Sequence, residues 1–243
     1  ILIKYSDKIS NWIKDLGYTD CFFVAGGNIM HLLNSFNKNM KMTPFVHEAA
    51  AAIACEYFNL TSQKLKNNKK ACCLFTAGPG ITNAITGIAG SNLESREILV
   101  FGGQVKSTDL KKKNQRQNGI QEIDGFRILK PITKKSILLK KPISEKDFKK
   151  ICKISSSDRK GAVFLEIPLD IQGTTENIKK LKSNSKIKIP EKSRSEKIPL
   201  KEVENLLNKS KKPLILLGGG IISSNLNHRL DKQLERIGLP FQT

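Results

Sequence analysis

Aromatic side chains are scarce in this 243-residue chain, at 6% of the total with a single Trp. Acid is also short, with 22 Asp and Glu against 42 Lys and Arg and a formal net charge of +20. So basic a chain raises nucleic acid as a partner. However, the few rings give bases no stacking platform among the basic residues. Lysines are interleaved with Ile and Asn through the second half, where residues 111–243 hold 31 basic and 14 acidic side chains against 11 and 8 in residues 1–110. That pattern is a compositional bias, and no nucleic-acid partner is expected. No apolar run reaches the ~18–20 residues that cross a bilayer, so no membrane partner is expected. Ile1 to Ser10 already carries two Lys and an Asp, unlike a secretory signal, and the expected location is the cytoplasm. Histidines number three and are scattered; the five cysteines (21, 55, 72, 73 and 152) show no Cys-x-x-Cys spacing. A zinc site is excluded on that ground, and buried free thiols are expected.

Known glycine fingerprints are missing too. There is no P-loop, no nucleophile elbow, and no third glycine at dinucleotide-binding spacing after Gly78-Pro79-Gly80. What remains is a regular alternation. Helical spacing marks Ile9–Leu16, Ile29–Phe36, Glu48–Leu60 and Ile81–Leu93. Short apolar runs at Cys21–Ala25, Thr43–Val46, Ala71–Phe75, Ile98–Phe101 and Val163–Ile167 read as strands. The fold class is therefore α/β, a parallel sheet with helices on both faces. This first domain spans 1–172. A basic linker is expected over 173–197. Residues 198–243 read as the truncated opening of a second α/β domain, with a helix at Leu200–Leu207 and a buried strand over Lys212–Gly220. The first residue is Ile and the second domain stops after one strand and two helices, so a fragment of a longer chain is expected.

Ligands of open α/β sheets bind beyond the carboxyl ends of the strands. Gly26-Gly27, His47-Glu48, Thr76 to Gly80 and Gly102-Gly103-Gln104 fall at such ends. Glu48 stands out as a carboxylate opening a helix whose next residues are four alanines. The helix dipole favours it by ~0.3–1 kcal/mol, so a capping role competes with a proton-transfer role. Small residues on this helix (Ala49 to Ala52) and on Ile81–Leu93 (Ala84, Gly87, Ala89, Gly90) permit close approach, and a subunit interface is expected there.

The order of these motifs resembles a known family. Val24-Ala25-Gly26-Gly27, His47-Glu48, Thr76-Ala77-Gly78-Pro79-Gly80-Ile81-Thr82-Asn83, Gly103-Gln104-Val105, Gln121-Glu122, Lys130-Pro131-Ile132-Thr133-Lys134, Arg159-Lys160-Gly161-Ala162-Val163 and Ile167-Pro168-Leu169-Asp170 follow one another. The series resembles the pyrimidine-binding domain of thiamine-diphosphate-dependent enzymes, in the acetolactate synthase-like group. The resemblance implies decarboxylation of a 2-oxo acid and carboligation to an acceptor. By it, Glu48 is the catalytic glutamate that hydrogen-bonds N1′ of the cofactor's aminopyrimidine. Gly26, Gly27, Pro79, Gly80 and Asn83 line the aminopyrimidine and substrate region, and Gln121 is a substrate-side glutamine. Arg159 matches an arginine that contacts FAD, and Gly218, Gly219 and Gly220 offer a second nucleotide site. Lys160 and Ala162 replace that arginine loop's usual prolines, so FAD dependence stays open, with independence the expectation. Ala25, Ala77, Lys106 and Ile120 also depart from the group's usual Pro, Ser, Pro and Phe. The family holds Mg²⁺ through a Gly-Asp-Gly stretch that this segment lacks, so no metal ligand is expected here. Its sites form between subunits, which implies a homodimer or homotetramer. The alternatives are another thiamine-diphosphate-dependent decarboxylase or lyase, of specialised or surface-polysaccharide metabolism, or a non-catalytic half-subunit.

Overall fold

The computed structural model describes residues 3–175, 198–223 and 227–242. By internal contacts the chain divides into two units, Ile1–Lys192 and Ser193–Thr243. The expected linker over 173–197 falls almost wholly outside the described residues.

The first unit is built on a six-stranded sheet in the order β2-β1-β3-β4-β6-β5, and every neighbouring pair is parallel. The strands are β1 (Tyr18–Phe23), β2 (Lys41–Pro44), β3 (Lys70–Phe75), β4 (Ile98–Gln104), β5 (Lys135–Leu138) and β6 (Ala162–Pro168). β3, β4 and β6 are the apolar runs, and a strand buried on both faces has no need to alternate polar with apolar. Their side chains divide by the two-residue period of the pleat. Cys72, Leu74, Leu99, Phe101, Val163 and Leu165 face one layer; Cys73, Phe75, Ile98, Val100, Ala162 and Phe164 face the other.

Helices α1 (Tyr5–Asp15), α2 (Met30–Phe36), α6 (Glu145–Lys153) and α7 (Leu169–Gly173) cover the first face. Their contact is aromatic. Trp12 meets Phe148 at 5.4 Å between ring centroids, and Phe36 meets Phe101 at 5.4 Å edge to face. Such pairs add ~0.5–1.5 kcal/mol beyond burial. Helices α3 (Glu48–Leu65), α4 (Pro79–Leu93) and the short α5 (Gly125–Leu129) cover the second face. All five cysteines are buried and free. Burial pushes the Cys21, Cys73 and Cys152 thiols well above their ordinary value, which keeps them protonated and inert.

Two of the small residues of α3 and α4, Ala52 and Gly87, pack against each other within the chain. Both are buried: a Cβ on Gly87 would lie 2.5 Å from the Ala52 Cβ and 3.1 Å from the Ile53 nitrogen. They serve an intramolecular helix crossing, which their sequence pattern does not distinguish from a contact between subunits.

In the second unit, α8 (Leu200–Lys209), α9 (Gly220–Ser223) and α10 (Asn227–Ile237) accompany a parallel pair, β7 (Ile215–Leu216) with β8 (Phe241–Gln242). The long buried strand expected over Lys212–Gly220 is two residues, and Leu216 is 72% exposed. Its glycines leave the strand early, before apolar partners can cover both faces.

Candidate functional site

The site forms where β1, β2 and β3 end and α3 and α4 begin. His47 is the N-cap of α3, and its Nδ1 accepts the Ala49 N–H at 3.2 Å. That bond satisfies one orphan amide of the first turn. Glu48, the first helical residue, is then released from the capping role that competes for it in the sequence. The residue is 7% exposed. Oε2 accepts from Asn83 Nδ2 at 3.0 Å, one turn into α4. Among the described residues nothing donates to Oε1.

α4 starts abruptly because Pro79 supplies the fixed φ of a first helical position. Gly78 before it has φ +65°, the left-handed region where a side chain is strained. Gly80 follows in the first turn. A Cβ there would stand 3.6 Å from Glu48 Oε1 and 3.0 Å from Thr76 Cγ2, so the missing side chain keeps the space beside the free oxygen open. Gly26 closes the other side, since a Cβ on it would lie 2.4 Å from the Thr76 Cβ. The Asn28 N–H donates to Thr76 Oγ1 at 3.4 Å, and Gln172 Nε2 donates to the Asn28 carbonyl at 2.8 Å. Thr76 is thus the hub against which two glycine loops close.

Gln121 reaches the same edge by an unusual backbone. Its φ is +59°, and its carbonyl oxygen would be 2.6 Å from a Cβ on Gly78. The strap that carries it is held by Glu122, which accepts the backbone N–H groups of Lys111, Asn118 and Gly119. Burial opposes ionisation of Glu122, yet these three donors hold its carboxyl below the ordinary value.

The structure therefore brings Gly26, Glu48, Pro79, Gly80, Asn83 and Gln121 to one end of the sheet. Gly27 lies there too, exposed and with nothing within 4 Å of a would-be Cβ. Arg159 does not join them. It precedes β6, at the opposite, amino end of the strands, where Nε donates to Ser95 Oγ at 2.6 Å and a terminal nitrogen donates to the Leu93 carbonyl at 3.1 Å. There it caps the far end of α4. Gly218, Gly219 and Gly220 belong to the second unit, and a Cβ on any of them would meet nothing within 4 Å. No group of three or more His, Cys, Asp or Glu among the described residues could hold a metal ion. Thr76 was missed as a hub by sequence reading, and so were Gln104 and Glu166. The signal was an acid inside the apolar run Val163–Ile167, which has to find hydrogen-bond partners once buried.

The residues fit an aminopyrimidine-bearing cofactor on two observations: a largely buried glutamate with one carboxylate oxygen left without a donor among the described residues, and a glycine whose side chain would fill the space beside that oxygen. Comparison with known proteins points the same way. The family described as thiamine pyrophosphate enzyme, N-terminal TPP binding domain, matches residues 3–128. The chain is 31% identical over 201 residues to the probable acetolactate synthase large subunit of Methanocaldococcus jannaschii, covering 81% of this chain and 32% of the relative. It is 31% identical over 250 residues to the acetolactate synthase large subunit of Buchnera aphidicola subsp. Acyrthosiphon pisum, covering 100% of this chain and 42% of the relative. Against the acetolactate synthase large subunit of Buchnera aphidicola subsp. Schizaphis graminum it is 34% identical over 203 residues, covering 81% and 33%. The chain thus spans a third to two-fifths of the length of these relatives. With the family match over more than half of its length, this chain belongs to the thiamine pyrophosphate enzymes and carries their N-terminal cofactor-binding domain.

Proposed function

We propose that the chain supplies the aminopyrimidine-binding half of an acetolactate synthase-like enzyme that decarboxylates a 2-oxo acid and joins the remainder to an acceptor. The observation that carries this is Glu48: buried, with Oε2 fixed by Asn83 and Oε1 free beside Gly80. Bound thiamine diphosphate supplies the electron sink for decarboxylation. Glu48 Oε1 is the atom that holds or passes the proton at the pyrimidine nitrogen. Asn83 keeps the carboxylate from rotating, Gly26 and Gly80 let the ring approach, and Gln121 stands on the substrate side. Exposed Lys106, Lys111, Lys112, Lys113 and Arg116 follow the carboxyl end of β4. They favour approach of an anionic 2-oxo acid.

Mg²⁺ and the diphosphate fall to residues outside this segment. The active site is shared between two subunits of a homodimer or homotetramer in the cytoplasm. Flavin is dispensable, because Arg159 is engaged with α4 at the other end of the sheet.

Glu48→Gln in the complete enzyme tests the reading. Cofactor binding should persist while turnover falls by ~10²–10⁴, as for a lost proton-transfer group. Wild-type turnover in that variant would sink the assignment.

A further inference from the structure

Gln172 is a neutral amide with no exposure to solvent, and the proposed chemistry does not use it. It lies in α7, the short helix that follows β6. Its Nε2 donates to the Asn28 carbonyl at 2.8 Å and to the Ile167 carbonyl at 2.8 Å, while its Oε1 accepts the Leu32 N–H at 3.4 Å. Turned the other way, the amide would set its oxygen against two carbonyls, so these partners fix how it faces. One side chain of α7 thereby holds both ends of the stretch 28–32, which follows Gly26-Gly27 directly. Gly26 and Gly27 carry no side chain that could anchor them, and the Ile29 N–H reaches the Gly26 carbonyl only at 3.4 Å. Their place depends on the residue that comes next.

Asn28 is enclosed on its other sides as well. Its N–H donates to Thr76 Oγ1 at 3.4 Å. β4 passes so close at Gly103 that a Cβ there would lie 2.3 Å from the Asn28 oxygen. α7 is itself fastened: Asp170 accepts the Ser107 N–H at 2.8 Å, and the Thr174 carbonyl accepts the Tyr5 N–H at 2.7 Å. Toward the site, Thr76 is the surface that a Cβ on Gly26 or on Gly80 would crowd, and a Cβ on Gly80 would stand 3.6 Å from Glu48 Oε1. Asn28 thus joins Gln172 on one side to the Thr76 wall beside Glu48 on the other.

We propose that Gln172 is a positioning residue for the cofactor: acting through the Asn28 carbonyl, it sets where Gly26 and Gly27 stand against Thr76, at the wall of the space that the aminopyrimidine ring is to enter. A buried amide whose hydrogen-bonding groups are all engaged holds one geometry, because any shift of the turn leaves a polar group unpaired inside the protein. Without it the turn loses its tether to α7, and the cofactor has to order the glycines at the cost of its own affinity.

This inference rests on the proposed function only for the identity of the ring; the tether stands without it. The test is therefore split. Gln172→Met keeps a side chain of similar length and removes all three bonds. In the whole 243-residue chain, amide exchange in peptides covering 24–32 should speed up about tenfold in this variant, the mark of a local opening. In the complete enzyme, the Kd for thiamine diphosphate, titrated with Mg²⁺ into the apoenzyme, should rise about tenfold. At saturating cofactor kcat should change by less than about twofold. Phe148→Leu, a core change on α6, is the control: it should lower the denaturation midpoint and leave that Kd alone, which separates positioning from loss of stability. Unchanged exchange in Gln172→Met would overturn the tether. Faster exchange with an unchanged Kd would overturn the positioning role, as would an equal rise of Kd in Phe148→Leu. Should Gln172→Met not fold, Gly103→Ala decides, since its Cβ displaces the Asn28 carbonyl from the β4 side. The same changes in exchange and Kd are expected there, and their absence would overturn the proposal. An enzyme that binds no thiamine diphosphate would refute the functional reading and leave the exchange result to judge the tether.

Discussion

Glu166 lies buried within β6, with Gln104 Nε2 and the Phe126 N–H donating to its two oxygens, and a carboxylic acid held neutral inside a sheet carries a signature in stability. The ordinary value for Glu166 is 4.5 and the folded one is about 8. Between these limits the unfolded chain has released the proton and the folded chain retains it. Folding stability from this group is therefore highest below 4.5, falls as pH rises through the window, and levels off above about 8. The slope approaches ~1.4 kcal/mol per pH unit at most. Asp7 and Asp170 act in the opposite sense. Burial opposes their ionisation, but hydrogen bonds from Lys38 and Ser35, and from Ser107, hold both below the ordinary carboxylate value. Their contribution is present at neutral pH and is lost as pH falls through the folded value. Comparing denaturation midpoints of wild type and Glu166→Gln at about pH 5 and about pH 8 isolates the buried acid. The wild type should lose stability between the two and the variant should lose markedly less; parallel behaviour would contradict the burial argument.

At the scale of elements, the α3–α4 crossing is a close apolar contact near the site, and it holds Glu48 against Asn83. A Cβ on Gly87 would meet the backbone of α3 at 3.1 and 3.2 Å as well as the Ala52 side chain, so the helices have to separate to admit it. Gly87→Ala or Ala52→Leu should cost ~1–3 kcal/mol by overpacking. The loss should appear in the denaturation midpoint of the chain and not in its dissociation, since the contact is internal. The helices and central strands were legible in the sequence because long periodic segments and apolar runs are strong signals. α6 and β5 were not. In Glu145–Lys153 only Phe148, Ile151 and Cys152 are apolar, and four lysines hide the spacing that docks Phe148 beside Trp12. Lys135–Leu138 is an edge strand with no fully buried residue, so no apolar run announces it. Glu48, Asn83 and the glycines were legible through motif order. Thr76 and the Gln104–Glu166 pair were not, because their partners are remote in sequence and the bonds that define them exist only in the folded chain.

The whole molecule presents apolar side chains that its own core leaves uncovered. Val46 is fully exposed, and Tyr57 and Ile53 of α3 are 52% and 41% exposed. They surround the start and outer face of the helix that Glu48 opens. A second subunit covering that region would remove them from water at roughly 25 cal/mol per Å². The complete enzyme should therefore sediment as a dimer or larger, and its absorbance should lack the yellow flavin band. A well-folded monomer would refute the first expectation, and stoichiometric flavin whose removal abolishes activity would refute the second.

The Tyr5 N–H donates to the Thr174 carbonyl at 2.7 Å, so the start of α1 lies beside the residue that follows α7. A unit whose first helix starts beside the residue that follows its last helix, α7, is topologically close to a ring. In such a ring the choice of first residue is a matter of genetics and not of packing. A circular permutant of residues 5–174 alone, with its two ends joined by a short Gly-Ser bridge and new ends opened between the exposed Lys140 and Lys141, should keep the sheet order. Circular dichroism and a cooperative thermal transition would check it. A permutant without that transition would show that the order in which the strands emerge, and not only their final neighbours, is needed to build the sheet.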